Sequence, residues 1–227
     1  METQGSDFGL KMGMLSRVTF IPMALLCAAA GLAQQEPSAS KPAEPRLFEM
    51  PLAVLQARRV IAFEFPAARY KYHIARTGLG SRSDGASPPQ TFNLHLSKGD
   101  FIRALYSAEY QGDALLLIEV SNGAYGAGFL VRIGGAVPDI KWKQAIPGIN
   151  VGKGLIEGDF AYVTAMRFVA KVNLKSGTYA WRNGDLGHGD AFDAPALDGN
   201  TVLFPARRAS GGGAVRVDKQ TGRILSP

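Results

Sequence analysis

The sequence predicts an all-β protein built from small antiparallel repeats, and three observations predict this class. Residues 158–183 contain short runs of alternating apolar and polar side chains separated by glycine-containing turns, a pattern typical of half-buried strands. Gly112, Gly158 and Gly199 each open a similar run, at offsets of 46 and 41 residues, which is the period of propeller blades. After the first 33 residues, no stretch has the apolar period of a confident helix.

The stretch 158–183 predicts most of one four-stranded repeat. Its first strand covers the alternating residues 161–165, and 168–174 forms the second after a very short connection. The sequence Lys-Ser-Gly at 175–177 predicts a turn, because glycine tolerates positive φ. Residues 178–181 form the third strand, and 153–156 supplies a short strand ahead of the others.

Residues 173–181, with the pattern N-x-x-S-G-x-x-x-W, resemble the D-x-x-T-G-x-x-x-W signature of quinoprotein-like (PQQ-like) β-propeller repeats. A second copy at 218–226 ends in serine, and a third at 134–142 keeps the tryptophan but has Gly and Pro at the Asp and Gly positions. The resemblance covers about residues 101–226. It implies a small or incomplete β-propeller in which each tryptophan packs between neighbouring sheets.

The alternative fold is a β-sandwich or an open barrel, because Gly-Asp and Ser-Gly turns are common between any strands. The predicted repeats cover 101–145, 146–184 and 185–227 of a single domain, 47–227. Closed propellers have at least four blades. Residues 47–100 therefore form either an irregular first blade or an edge-covering extension, and without a fourth blade the sheets stay open.

Within residues 47–100 the pattern is weaker. Residues 59–65 alternate and predict a strand, and 91–96 predicts another short one. Residues 69–74 alternate charged and aromatic side chains, which indicates an exposed or edge strand. The composition of 77–90 predicts a loop.

The N-terminal region predicts export. Residues 1–33 have two basic residues, an uncharged apolar run and small residues at the end, as a secretory signal peptide does. Residues 34–46 are rich in Pro, Ala, Ser and Glu and predict a disordered linker. Cleavage after Ala33 would remove Cys27, the only cysteine, and leave a chain without a membrane span. We therefore expect a secreted or periplasmic bacterial protein.

Composition and motifs nominate no catalytic chemistry. The net charge of +6 comes from scattered basic residues, which favours solubility over nucleic-acid binding. The sequence lacks the H-E-x-x-H, G-x-S-x-G and P-loop motifs, and its three histidines are not paired at metal-ligand spacing. The aspartates of 185–198 do not match a calcium-loop spacing. We predict no catalytic residues, no cofactor and no metal.

The repeat geometry predicts one binding face. In a four-stranded meander, the connection between the second and third strands lies at the same end as the link to the next repeat, and such loops often carry binding residues. The opposite end carries the Gly-Asp and Ser-Gly turns, which are interpreted as structural. The candidate binding residues are Tyr125, Asn150, Arg167, His188, Asp190, Arg207 and Arg208.

These features favour a secreted, non-catalytic binding or scaffold protein that engages a protein or glycan partner in the cell envelope. One alternative is a structural component of the envelope. The resemblance also raises a quinone-dependent oxidoreductase, but family members of that kind need a larger ring with acidic residues near its axis.

Overall fold

The computed structural model describes residues 44–184, 186, 191–207 and 213–226. The predicted signal peptide and most of the predicted linker lie outside these residues. The described chain forms 18 strands and no helix, arranged in four antiparallel sheets. The all-β prediction is therefore confirmed.

The four sheets follow one another along the chain. The strands of sheet 1, in spatial order, are β2 (Leu52–Gln56), β3 (Arg59–Ala67), β4 (Tyr70–Ala75), β5 (Leu79–Ser83) and β6 (Gln90–Asn93). Those of sheet 2 are β7 (Phe101–Tyr110), β8 (Asp113–Ser121), β9 (Gly126–Gly134) and β10 (Asp139–Ile146). Sheet 3 comprises β11 (Leu155–Glu157), β12 (Phe160–Ala165), β13 (Phe168–Asn173) and β14 (Tyr179–Asn183), with β1 (Arg46–Leu47) added beside β11. Sheet 4 comprises β15 (Ala196–Asp198), β16 (Thr201–Pro205), β17 (Ala214–Asp218) and β18 (Ile224–Ser226).

Adjacent sheets pack face to face through three apolar cores. One core joins sheets 1 and 2, a second joins sheets 2 and 3, and a third joins sheets 3 and 4. Sheet 2 is covered on both faces, which explains why residues 113–120 of β8 are all buried and read as an apolar run rather than an alternating one. A two-layer sandwich is excluded, because sheets 2 and 3 are each covered on two sides.

The series of sheets is open. Within the part of the chain that the structure describes, no core cluster contains residues of both sheet 1 and sheet 4. Four stacked antiparallel sheets that do not close are an incomplete, β-propeller-like arrangement. Two sheets have a fifth strand, which the four-stranded repeat pattern does not predict.

Sheet 1 differs from the sequence prediction in two places. Strand β4 lies inside the sheet between β3 and β5, and Tyr72 and Ile74 are buried against sheet 2, so the interpretation of 69–74 as an edge strand was wrong. The predicted loop 77–90 contains strand β5. Its buried positions are Gly80 and Arg82, neither of which gives an apolar signal.

Tryptophan connects consecutive sheets by the same contact twice. Trp142 Nε1 donates to the Leu174 carbonyl at 3.2 Å, and its ring lies where a Cβ on Gly177 would be, 2.6 Å from the nearest ring carbon. Trp181 Nε1 donates to the Lys219 carbonyl at 3.1 Å and packs on Gly222 in the same way. Each of these two turns requires glycine for two reasons: a tryptophan ring occupies the place of a Cβ, and the backbone has a positive φ.

Basic side chains from the third strand of the repeat donate to the same kind of turn carbonyl in the following sheet. The three donors occupy equivalent positions, since each lies two residues before the first residue of the turn that follows its strand. They are Arg82 Nη1 to the Gly135 carbonyl at 2.9 Å, Arg132 Nη1 to the Leu174 carbonyl at 3.0 Å and Lys171 Nζ to the Lys219 carbonyl at 3.0 Å.

The turn signature also occurs in sheet 1, where the sequence analysis missed it. Asp84 Oδ1 accepts the backbone N–H groups of Ala86 and Ser87, as Asn173 and Asp218 do in their own turns. Residues 84–92 read D-x-x-S-P-x-x-x-F, so proline replaces the glycine and phenylalanine replaces the tryptophan. Residues 52–93 thus form a sheet of the same kind as the other three.

Residues 46–56, here called the strap, run along three sheets in turn. Arg46 pairs with Ile156 of β11, Glu49 exchanges two backbone hydrogen bonds with Ser107 of β7, and β2 pairs with β3. Between the first two contacts, Phe48 is fully buried in the core of sheets 2 and 3. The last residue of the predicted linker, Arg46, therefore lies in a strand.

We predict that Gly177→Ala lowers the free energy of unfolding more than Gly158→Ala does. Both glycines have positive φ (75° and 56°), and only Gly177 has a ring within contact distance of the added Cβ. Each variant should lose roughly 1–2 kcal/mol from backbone strain, and Gly177→Ala about 1–3 kcal/mol more from overpacking. Urea unfolding measures the difference, and equal losses would contradict the tryptophan–glycine contact.

We also predict that Phe48→Ala lowers the free energy of unfolding by about 3–5 kcal/mol, the loss expected for a buried phenylalanine. The control is Met50→Ala in the same strap, where the side chain is 67% exposed and the loss should be within about 0.5 kcal/mol. Chemical denaturation of the two variants compares them. A small loss for Phe48→Ala would mean that the strap does not stabilise the sheets.

Candidate binding surfaces

The connections between strands divide between two ends of the sheets. The loop face is defined by the connections β8–β9, β10–β11, β12–β13, β14–β15 and β16–β17. Backbone hydrogen bonds join its successive members: Met166 N to the Ile149 carbonyl at 2.7 Å, Leu186 N to the Arg167 carbonyl at 3.3 Å and Arg207 N to the Ala191 carbonyl at 2.7 Å. The loops from which the candidate residues were chosen therefore lie together at one end.

Tyr125 lies beside a small cavity on the loop face. Its side chain is 56% exposed, and its hydroxyl donates to Asp100 Oδ1 at 3.3 Å. The cavity, of about 250 Å³, is also lined by Arg103, whose Nη1 lies 3.2 Å from the buried Glu119 carboxylate. The other Glu119 oxygen accepts the backbone N–H of Val151 at 3.1 Å, so this carboxylate ties sheet 2 to the connection that leads into sheet 3.

Asn150 and Arg167 both have left-handed backbone conformations, with φ of 56° and 61°. Asparagine tolerates this region well, whereas arginine adopts it at some strain. Asn150 is half-buried and Arg167 is exposed. The two residues are linked through neighbours, because Ile149 accepts the N–H of Met166.

Arg207 is held by its own loop. Its Nε donates to Asp193 Oδ1 at 3.0 Å, and its Nη2 to the Phe192 carbonyl at 3.3 Å. These contacts give it a structural role at the entry to sheet 4. The remaining candidates, His188, Asp190 and Arg208, lie outside the described residues.

The opposite end of the sheets carries the turns interpreted as structural, and one polar cluster there joins sheets 2 and 3. The Tyr110 hydroxyl donates to Asp159 Oδ1 at 2.6 Å, and Lys175 forms an ion pair with the same carboxylate. Lys175 and then Tyr110 stabilise the charged form, which lowers the pKa of Asp159. Burial, together with the hydrogen bond to Asp159, raises the pKa of Tyr110 to about 12.

A surface depression lies along the strap. A groove of about 640 Å³ is bounded by strap residues 46–52, by residues 64–66 of β3 and by residues 107–109 of β7. Its wall is mostly apolar. Three carboxylates, Glu49, Glu64 and Glu109, line it together with the single basic residue Arg46.

Apolar side chains are exposed along the strap beside this groove. Met50 is 67% exposed, Leu52 69% and Leu55 61%. Strand β2, which carries the two leucines, is an edge strand of sheet 1. Single exposed leucines are ordinary, but a series of them on one short segment marks an interaction surface.

The strap is not among the binding surfaces that the repeat pattern predicts. The apolar run 47–56 (LFEMPLAVLQ) contains the signal, but a run of this kind does not reveal which side chains point into the core. The structure buries Phe48 and leaves Leu47 partly exposed. Contact with β11 and β7, rather than local pattern, decides this.

Among the residues that the structure describes, no group of three or more His, Cys, Asp or Glu side chains could hold a metal ion. No helix in the same part of the chain is long and apolar enough to cross a membrane.

No known family matches the chain, and no curated protein matches it. Among solved structures, it is similar to BamB from Moraxella catarrhalis, with 19% sequence identity and a TM-score of 0.47. The match covers 81% of this chain and 51% of that one, so the chain spans about half the length of the solved structure.

The Tyr110 cluster gives a prediction about alkaline pH. In the unfolded chain a tyrosine ionises near pH 10, whereas in the folded protein Tyr110 keeps its proton up to about pH 12. Its contribution is complete below pH 10 and is lost as the pH rises towards 12, because only the unfolded state then releases the proton. Urea unfolding as a function of pH should show a smaller alkaline decline for Tyr110→Phe than for the wild type.

Tyr125→Phe removes an exposed phenol and should keep the wild-type decline. A Tyr110→Phe profile parallel to that of the wild type across this pH range would contradict the assignment.

Proposed function

We propose that this protein is a non-catalytic binding protein of the bacterial cell envelope that engages a protein partner through the strap and its groove. The observation that carries the proposal is the exposed apolar series Met50, Leu52 and Leu55 beside a groove lined by three glutamates. Apolar anchors with a polar rim are the usual anatomy of a protein interface.

The charge of the groove favours a particular partner chemistry. Glu49, Glu64 and Glu109 outnumber the single Arg46 along its wall. A partner segment with apolar and basic side chains complements this surface, and electrostatic complementarity favours encounter with such a segment. Within the described part of the chain β2 pairs on one side only, with β3, and the backbone groups of an edge strand can bind an extended segment.

The envelope location and the family belong to the same proposal. The apolar N-terminal region with its small-residue cleavage site supports export. The two tryptophan–glycine contacts between consecutive sheets support membership of the quinoprotein-like repeat proteins. The loop face around Tyr125, Asn150, Arg167 and Arg207 is a second surface on which a partner can extend its contact.

The test is photo-crosslinking in cells that express the full chain. A photoreactive amino acid replaces Leu52, and in a control chain it replaces Val137, which is equally exposed at 68% but lies in the β9–β10 turn outside the groove. We expect a discrete protein adduct at Leu52 and none at Val137. Protease and glycosidase treatment of the adduct distinguishes a protein partner from a glycan.

A second measurement uses the identified adduct partner in purified form. Leu52→Asp should weaken its binding about tenfold or more, the loss typical of an interface anchor, while Val137→Asp should leave binding unchanged. No adduct at Leu52, or equal adducts at both positions, would refute the proposal.

A further inference from the structure

The three sheet-to-sheet contacts made by basic side chains follow one positional rule. The donor lies two residues before the turn-opening residue of its sheet, and the acceptor carbonyl lies one residue after the turn-opening residue of the next sheet. In sheets 1 to 3 the donors are Arg82, Arg132 and Lys171, and the acceptors in sheets 2 to 4 are Gly135, Leu174 and Lys219.

Sheet 4 carries a fourth copy of the donor. Arg216 lies two residues before Asp218, which opens the last turn by accepting the N–H groups of Gln220 and Thr221. Val215 and Val217 on the same strand face sheet 3, so the pleat directs Arg216 to the opposite side. There it is exposed, whereas Arg82 and Arg132 are buried in contacts with the next sheet.

Sheet 1 carries the matching acceptor. Its turn opens at Asp84, so the rule assigns the carbonyl of Gly85. Gly85 is exposed, has φ of 81°, and has no atom within 4 Å of an added Cβ. Sheet 4, at one end of the series, therefore presents a basic donor, and sheet 1, at the other end, presents a turn carbonyl. Equivalent donors and carbonyls form the contact at each internal junction.

We propose that a second copy of the chain docks head to tail, with its sheet 1 on the outer face of sheet 4 and Arg216 donating to the Gly85 carbonyl of the other copy. This goes beyond the proposed function: the sheet 1 face borders the groove at Leu52 and Glu64, but the contact that defines the docking joins Arg216 to Gly85, and neither residue lines the groove. Docking continues a contact that the chain already makes three times within itself.

Each of the two faces carries charges of both signs. The outer face of sheet 1 carries Glu64 on β3 and Lys71 on β4, on the side of each strand opposite the core residues Phe65 and Tyr72. The outer face of sheet 4 carries Arg216, and Asp198 is exposed on β15. Glu64 is already paired with His73 of the same sheet at 3.1 Å, and Asp218 lies on the same side of β17 as Arg216.

The two faces are less apolar than the internal junctions. Besides their charges they carry the small or polar side chains Ser81, Ser83, Thr201 and Ala214. They also carry the leucines Leu52 and Leu79 on sheet 1 and Leu203 on sheet 4. Interfaces of mixed polarity are typical of reversible association rather than of obligate dimers. We therefore expect self-association that depends on concentration and on salt.

The first test uses site-directed crosslinking in the full chain carrying Cys27→Ser. One preparation carries Arg216→Cys and a second carries Ala86→Cys, next to Gly85 and exposed. A short bis-maleimide should crosslink the mixture of the two preparations and neither preparation alone, because a head-to-tail contact joins unlike faces. The matched control replaces the first variant with Arg223→Cys, an exposed arginine in the last turn, and should give no crosslink.

The second test measures mass by light scattering over a concentration series. The wild type should exceed the monomer mass at high concentration, Arg216→Glu should weaken association roughly tenfold or more, and Arg223→Glu should behave as the wild type. A monomer at every concentration, crosslinking of Arg216→Cys with itself, or equal crosslinking by Arg223→Cys would each overturn the proposal.

Discussion

The stacking of these sheets depends on the carbonyls of the turns between the third and fourth strands of each repeat. Such a carbonyl has no partner in its own ladder, and covering it with a neighbouring sheet costs free energy unless a donor reaches it. The preceding sheet supplies two donors to Leu174, from Arg132 and Trp142, and two to Lys219, from Lys171 and Trp181. The Gly135 carbonyl accepts a hydrogen bond from Arg82 Nη1, and the Ala136 carbonyl accepts one from Arg82 Nη2. The hydrogen bonds to these turn carbonyls and the burial of apolar side chains therefore favour the same arrangement of adjacent sheets.

Sequence reasoning works where the side-chain period reports burial. Between residues 153 and 183 the predicted strands lie within about two residues of the observed ones, because alternation and glycine turns mark them directly. Sheet 1 was harder, since strand β5 buries Gly80 and Arg82, and neither residue looks like a core position in a sequence. Burial of Arg82 is made possible by acceptors that come from outside its own strand, which are two carbonyls of sheet 2 and the Gln90 side chain. Such contacts depend on the tertiary structure, and the sequence around Arg82 does not predict them.

The candidate binding surfaces also divide into one that the sequence pattern predicts and one that depends on tertiary contacts. Strand parity along a meander predicted which loops share an end, and the hydrogen bonds between residues 149 and 166 and between 186 and 167 join those loops. The binding role of Tyr125, Asn150, Arg167 and Arg207 stays a prediction. The strap could not be foreseen, because the apolar run 47–56 does not reveal which of its side chains point into the core. Burial of Phe48 between two sheets determines which of its neighbours remain exposed.

The strap also makes the local stability of sheets 1 to 3 differ from that of sheet 4. It ties sheets 1, 2 and 3 together through its pairings with β3, β7 and β11, so these sheets share one covalent segment besides their cores. Sheet 4 depends on a smaller cluster around Phe204 and Trp181 and on nearest-neighbour contact alone. In a linear array of repeats, stability is the sum of unit and junction terms, and the unit with the fewest junctions opens first. We therefore expect amide protons of β16 and β17 to exchange through a local opening of the last sheet, and those of β8 and β12 to exchange only when the three strapped sheets come apart together.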